Sequence, residues 1–273
     1  MNREELDLAL DWAAAEGWNP GFYDADCFYN TDPNGFFIGT LGNEPISAIS
    51  AVAYDKHFGF LGFYIVKPEY RGYGYGLQIW KRAIEYLNTQ NIGLDGVVAQ
   101  QQNYKKSGFK LAYRNMRYRG FSKKNSIGND NVIKLSDVPF EKILDYDSKL
   151  FPTARSGFLK CWINQLKSAA LGSIINGYLQ GYGVIRKCRK GYKIGPLFAD
   201  NLEIANKLFL ALINNITTDS EIFLDLPETN FDALKLAYKY NLKFVFETAR
   251  MYTKSQPSID LKKVFGVTTF ELG

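Results

Sequence analysis

The chain has 273 residues, 46% of them hydrophobic and 22% charged, with a formal net charge of +5. That length and balance suit a globular protein with room for two domains and exclude a disordered or low-complexity chain. A single histidine and three widely separated cysteines, Cys27, Cys161 and Cys188, offer neither zinc-ligand spacing nor a Ser-His-Asp triad, and predict unpaired thiols in a reducing compartment.

Residues 3–16 pattern as an amphipathic helix with Leu6 and Leu10 on one face and Gly17 as its stop. Its polar start is unlike a signal peptide, and no apolar run reaches membrane-spanning length, so a cytoplasmic protein without a membrane partner is expected. A turn-rich loop at Trp18-Asn19-Pro20-Gly21 leads into a mixed stretch from Tyr23 to Thr31. Residues 36–41, 45–54 and 58–66 read as a meander of three strands, turning at Gly42-Asn43 and near Asp55-Lys56.

The third strand runs into Ile65-Val66-Lys67-Pro68-Glu69-Tyr70-Arg71-Gly72-Tyr73-Gly74-Tyr75-Gly76-Leu77. Glycines at alternate positions let successive backbone N–H groups point into one concavity. A helix follows, with Leu77, Trp80, Ile84 and Leu87 spaced as one apolar stripe. Bare N–H groups and the helix dipole at such a start favour a phosphate or pyrophosphate. The chain lacks the Gly-Lys-Ser/Thr of a phosphate-binding kinase loop, and the third glycine falls too early for a dinucleotide-binding fingerprint.

Next come a strand over 94–98, a helix over 100–107 containing Asn103-Tyr104-Lys105-Lys106-Ser107-Gly108-Phe109, and a strand over 109–120. Arginines and lysines from Arg114 to Lys124 alternate with aromatic residues. They read as alternate positions of a terminal strand followed by a solvated linker, so nucleic acid is not expected. The polar stretch from Ser122 to Asn131 marks a boundary. Beyond it the sequence echoes itself. Ile222-Phe223-Leu224-Asp225 repeats the strand at Leu94-Asp95, and Arg250-Met251-Tyr252 stands where Met116-Arg117-Tyr118 stands in the first copy. The glycine loop has no counterpart in the second copy.

An Arg-x-x-Gly-x-Gly turn after a strand ending Ile-Val-x-Pro, with Tyr-x-x-x-Gly-Phe downstream, resembles the GCN5-related N-acetyltransferases (GNAT). The whole chain, from Glu16-Gly17-Trp18 through Arg155 to the terminal Phe270-Glu271-Leu272-Gly273, is similar to tandem members of that family. The resemblance implies an α/β fold: a mixed, mostly antiparallel twisted sheet flanked by helices, with two GNAT-like domains in tandem. Residues 1–121 would form the N-acetyltransferase domain, 122–131 the linker and 132–273 a divergent domain without a pyrophosphate loop. It implies transfer from acetyl-CoA, as co-substrate and without a metal, to a primary amine on a small molecule or peptide.

In that family the pantetheine arm lies along strand backbone, here Ile65, Val66 and Lys67, and the pyrophosphate takes N–H groups from Arg71, Gly72, Tyr73, Gly74, Tyr75, Gly76 and Leu77. Lys67 and Arg71 would add charge, and Tyr104 would face the coenzyme sulfur as general acid. Two departures stand out. Val97 occupies the position of the family's asparagine, so that residue's hydrogen bond to the coenzyme either comes from Gln100, Gln101 or Gln102 or is absent. No general base is recognisable: Asp24, Asp26, Asp32 and His57 are candidates by chemistry alone, and a water chain to bulk would serve equally. These departures fit an alternative, a non-catalytic acyl-CoA-binding or interaction protein that keeps the fold. The resemblance supplies neither the acceptor nor the oligomeric state.

Overall fold

A computed structural model of the chain describes residues 1–88, 90–124 and 131–273. The elements run, in order, α1 (Arg3–Ala15), α2 (Asp24–Thr31), β1 (Phe36–Leu41), β2 (Glu44–Ala53), β3 (Phe58–Val66), α3 (Tyr75–Tyr86), β4 (Asn91–Val97), α4 (Gln101–Lys106) and β5 (Lys110–Phe121). The second half adds β6 (Val132–Lys134), α5 (Phe140–Asp147), α6 (Ser156–Trp162), β7 (Ser168–Ile175), β8 (Tyr178–Lys187), β9 (Tyr192–Ala199), α7 (Leu202–Asn214), β10 (Glu221–Pro227), α8 (Phe231–Lys239), β11 (Lys243–Tyr252) and β12 (Val264–Gly266). Most of the predicted linker, residues 125–130, lies outside the described residues.

The strands form one continuous sheet in the order β1-β2-β3-β4-β11-β5-β10-β9-β8-β7-β6, with β12 paired to β9. Among the described residues only β3–β4 and β9–β10 run parallel, and the other pairings are antiparallel. The two halves have therefore exchanged their long final strands. β11 of the second half lies between β4 and β5 of the first, and β5 lies between β11 and β10 of the second.

Two buried ion pairs hold this exchange. Arg117 of β5 grips Asp225 of β10 through two hydrogen bonds of 2.6 Å, and Arg250 of β11 meets Asp95 of β4 at 2.5 Å. They are the same Asp-to-Arg contact made once in each direction, and they explain the echoes at Asp95/Asp225 and Arg117/Arg250. The basic run on β5 is spent in this way: Arg114 pairs with Glu247 and Arg119 with Glu221.

Helix α1 starts on a capping box in which the Asn2 side chain accepts from Glu5 N–H and the Glu5 carboxylate accepts from Asn2 N–H. Two readings of the sequence need correction. The segment from Tyr23 contains a helix, α2, whose buried Ala25, Cys27 and Phe28 face α1 and α6. Its amphipathic signal is masked because Asp24 sits on the buried face, paired with Arg186 of β8 at 2.9 Å. The apolar stripe of α3 is rotated from the predicted one. Ile79, Trp80, Ala83 and Leu87 are buried, and Leu77, in the first turn above the glycine loop, is 56% exposed.

The cysteine reading is overturned as well. Cys27 of α2 and Cys161 of α6 form a disulfide, and Cys188 is buried and free. The pair is 134 residues apart in sequence, a separation that carries no spacing signal, and only the packing of α2 on α6 brings the sulfurs together. Among the described residues no helix is long and apolar enough to cross a membrane, and no cluster of His, Cys, Asp and Glu could hold a metal.

Candidate active site

Strands β3 and β4 pair only from Phe58–Asn91 to Leu61–Leu94, and then diverge. The cause is local. Phe63 takes a positive φ of 47°, and the register of β3 against β2 slips at this point. A bulge here bends β3 away and opens a wedge in the sheet. The wedge holds a cleft in two parts. An outer groove is lined by Ile65, Val66, Arg71, Gly72, Gly74 and Leu77; an inner pocket is lined by Gly62, Leu94, Gly96, Thr248 and Glu271. Trp18, Tyr64, Val97 and Tyr104 border both parts.

In the outer groove the loop has the form an anion requires. Gly72 and Gly74 have φ near +88° and +86°, and a Cβ at either would meet no protein atom within 4 Å. Gly74 is the N-cap of α3 and offers no capping side chain. Two of the predicted N–H groups are used elsewhere: Arg71 donates to Pro68 O and Leu77 to Gly74 O. The N–H groups of Gly72, Tyr73 and Gly74 have no protein acceptor among the described residues, and Tyr75 and Gly76 stand in the first helical turn, where intrahelical acceptors are lacking. Helix α7, in the equivalent place of the second half, is closed by the Asn201 side chain accepting from Ile204 N–H.

Lys67 and Arg71 are less available than the sequence suggests. The Lys67 ammonium meets Glu44 at 2.9 Å, and the Lys67 backbone N–H donates to Ile46 O. The Arg71 guanidinium pairs with Glu16 and donates to Val66 O. Both therefore brace the rim of the groove. Tyr73 is 73% exposed and its ring lies tilted against that of Tyr75, and neither ring lines the groove.

Tyr104 projects from α4 into the neck between the two parts. Its ring stacks on Trp80 at 5.6 Å and is 7% exposed. Gly96 leaves space for it, since a Cβ there would lie 2.2 Å from the ring. Burial, and then neighbouring Tyr64, pushes its hydroxyl up to about 12, so it stays protonated at neutral pH. The acidic candidates named from chemistry lie elsewhere. Asp24 is locked to Arg186, Asp26 to Arg3, and Asp32 accepts from Ala53 N–H and the Tyr86 hydroxyl. His57 sits exposed in the β2–β3 turn.

Two carboxylates do line the inner pocket. Asp95 accepts hydrogen bonds from Asn115, Thr248 and Arg250. Glu271, from the buried terminal segment after β12, has neither carboxylate oxygen hydrogen-bonded. Sequence reasoning missed it because nothing local relates residue 271 to the β3–β4 wedge. The only signal was an acidic residue inside an otherwise apolar, terminal Phe-Glu-Leu-Gly.

The comparisons with known proteins agree with this geometry. Residues 4–109 match the model of the acetyltransferase (GNAT) family, and residues 143–266 match that of an acetyltransferase (GNAT) domain. The chain is 30% identical over 272 residues to holothin acyltransferase of a Pseudoalteromonas strain, covering 99% of this chain and 92% of that one. A solved Pyrococcus horikoshii protein assigned as an acetyltransferase superposes with a TM-score of 0.80 at 24% identity, over 92% of this chain and 84% of its own. A tandem GNAT protein from the clavulanic acid biosynthesis pathway superposes with a TM-score of 0.66 at 11% identity, over 94% of this chain and 98% of its own. The two shared architectures, the wedge between β3 and β4 and the two matched halves lead to one conclusion: this chain belongs to the GCN5-related N-acetyltransferase family, as a tandem GNAT acyltransferase.

Proposed function

We propose that the chain transfers the acetyl group of acetyl-CoA to a primary amine by direct attack, with Tyr104 as general acid and the first half, residues 1–121, as the catalytic one. The observation that carries this reading is the position of Tyr104 at the neck joining the glycine-loop groove to the inner pocket. A donor held by the loop would present its thioester at that neck, and an acceptor in the inner pocket would meet it there. The residues present suit such a donor: Gly72 to Gly76 offer N–H groups to a pyrophosphate, and Ile65 and Val66 lie along the groove. The co-substrate supplies an activated acyl group.

The chain's part is to orient both partners and to meet charge as it develops on sulfur. With the Tyr104 hydroxyl near 12 and a thiol near 8.5, complete proton transfer is uphill by roughly 5 kcal/mol. Tyr104 therefore acts chiefly through a hydrogen bond that strengthens as the thiolate forms. A buried, unpaired hydroxyl donor at the sulfur is worth more than the same group in water.

The test is a thermal-shift titration with acetyl-CoA, followed by thiol release with a panel of amines that includes holothin, the compound named for the relative. Stabilisation that saturates with acetyl-CoA and amine-dependent thiol release are the expected results. Stabilisation without thiol release from any amine would favour the non-catalytic reading. Without stabilisation, neither reading stands.

A further inference from the structure

Beyond the catalytic reading just given, and resting on it, we propose that Glu271 is the residue that receives the acceptor's amino group, and that the acceptor is a compact apolar monoamine. The second half of the chain thereby supplies the acceptor end of the first half's site.

Glu271 is 3% exposed, lines the inner pocket, and makes no hydrogen bond through either carboxylate oxygen. Its backbone, by contrast, is pinned from several sides. Glu271 and Leu272 N–H both donate to the Thr269 hydroxyl at 2.9 Å, and Leu272 O accepts from the Tyr54 hydroxyl at 2.9 Å. Its carbonyl lies against Gly62, where any Cβ would fall 2.0 Å from it. Farther back, Val267 N–H donates to Asp225 O at 2.7 Å. A carboxylate held by such a rigid backbone, buried and without a donor, is the group a ligand N–H would satisfy.

Three basic side chains lie within its electrostatic reach. Arg117 of β5, Arg186 of β8 and Lys193 of β9 each feel the field of Glu271. Asp95 also borders the pocket, but it already accepts from Asn115, Thr248 and Arg250, the last of which neutralises its charge. The pocket thus offers one free carboxylate. The remainder of its wall is largely aromatic, with Trp18, Tyr64, Trp80, Phe246 and Phe270 beside Tyr104. An ammonium is stabilised next to both carboxylate and ring faces. The second ammonium of a polyamine would find rings and no counter-ion.

The same residue accounts for the proton an attacking amine must lose. In water an alkylammonium lies about six pK units above a glutamate. Removal from water disfavours the charged form of an ammonium and of a carboxylate alike, which narrows that gap for any buried pair of the two. Of the ammonium's three protons, one passes to Glu271 and on to water. The freed lone pair forms the C–N bond as the C–S bond breaks. A second proton ends on the departing sulfur, which the Tyr104 hydroxyl holds by a hydrogen bond, and the third remains on the amide.

The test compares 2-phenylethylamine, 2-phenylethanol and spermidine on the full chain with CoA present. The wild type should bind the phenylethylamine at least about tenfold more tightly than the isosteric alcohol and acetylate it in preference to spermidine. Glu271→Gln should abolish the amine-over-alcohol preference and lower kcat/KM for the amine by about a hundredfold, with the stabilisation by acetyl-CoA retained. If that variant does not fold, the comparison in the wild type decides alone. Equal binding of amine and alcohol, a preference for spermidine, or a Gln variant within about threefold of wild type would overturn the assignment while leaving the acetyl-CoA reading intact. Absence of the acetyl-CoA shift in the wild type would instead remove the reading on which both rest.

Discussion

Gly96 is the residue through which the Tyr104 role can be tested without touching the tyrosine. A methyl group on its Cα would lie 2.2 Å from the Tyr104 ring, so Gly96→Ala must move that ring. Stacked on Trp80, the ring has little freedom to yield except along the neck. Turnover of Gly96→Ala should fall by about tenfold or more, with acetyl-CoA affinity close to wild type. Tyr104→Phe keeps the stacking and loses only the hydroxyl, and its turnover should fall by a similar factor, read by steady-state thiol release. Unaltered turnover in both variants would leave Tyr104 as a packing residue. The pH dependence follows from the same burial. Because the folded protein holds the Tyr104 proton up to about 12, above the ordinary value near 10, the donor stays protonated as pH rises through 10. A kcat profile with a fall centred near pH 10 that disappears in Tyr104→Phe would contradict this. Tyr104 and the loop glycines were legible in the sequence because each belongs to a short motif whose parts touch locally. Glu271 was not, because a contact with β3 made from the chain's far end leaves no local pattern.

Among the elements, the exchanged strands β5 and β11 show how far local pattern reaches. Apolar runs bounded by turn residues located β1 and β3, and alternation located β5, to within a residue or two, since such local patterns hold whatever lies beside the strand. The identity of the neighbour was not legible, because pairing partners are chosen by tertiary contacts such as Arg117–Asp225. That pair also sets a stability prediction. Both groups are 1% exposed, and Asp225→Asn would leave the Arg117 guanidinium buried with no counter-charge at hydrogen-bond distance. Removing one partner of such a pair costs about 3–5 kcal/mol. Asp145→Asn, which breaks the exposed Lys149–Asp145 pair on the outside of the molecule, should cost no more than about 0.5 kcal/mol. Urea denaturation followed by circular dichroism measures both. A loss below about 1 kcal/mol in Asp225→Asn would mean that the exchanged strands are held by packing and ladder hydrogen bonds alone. The disulfide between α2 and α6 adds a second tie between the halves. Cys161→Ala should lower stability by about 2–4 kcal/mol in the same assay, a cost that vanishes when wild type and variant are compared under reducing conditions.

At the scale of the whole molecule, the sequence boundary near residue 122 does not coincide with a boundary in space. Cutting there would leave β4 without β11 on one side and β5 with neither of its two neighbours, since both β11 and β10 come from the second half. It would also strand Arg117 without Asp225 and Asp95 without Arg250. The inner pocket would lose Phe246, Thr248, Phe270 and Glu271, all of which follow the cut. A fragment of residues 1–121 should therefore show no cooperative unfolding transition and no stabilisation by acetyl-CoA, even though it carries the glycine loop and Tyr104. Mixed with a fragment of residues 122–273, it should recover both, because exposed edges of the two halves complement one another through the β4-β11-β5-β10 order. In the intact chain the shared strands couple the halves. Urea transitions followed by circular dichroism, which reports both halves, and by tryptophan fluorescence, to which Trp12, Trp18 and Trp80 of the first half contribute beside Trp162 of the second, should then coincide. Two separated midpoints, or a 1–121 fragment that binds acetyl-CoA unaided, would show that the first half completes its own sheet and that the exchange of strands is dispensable.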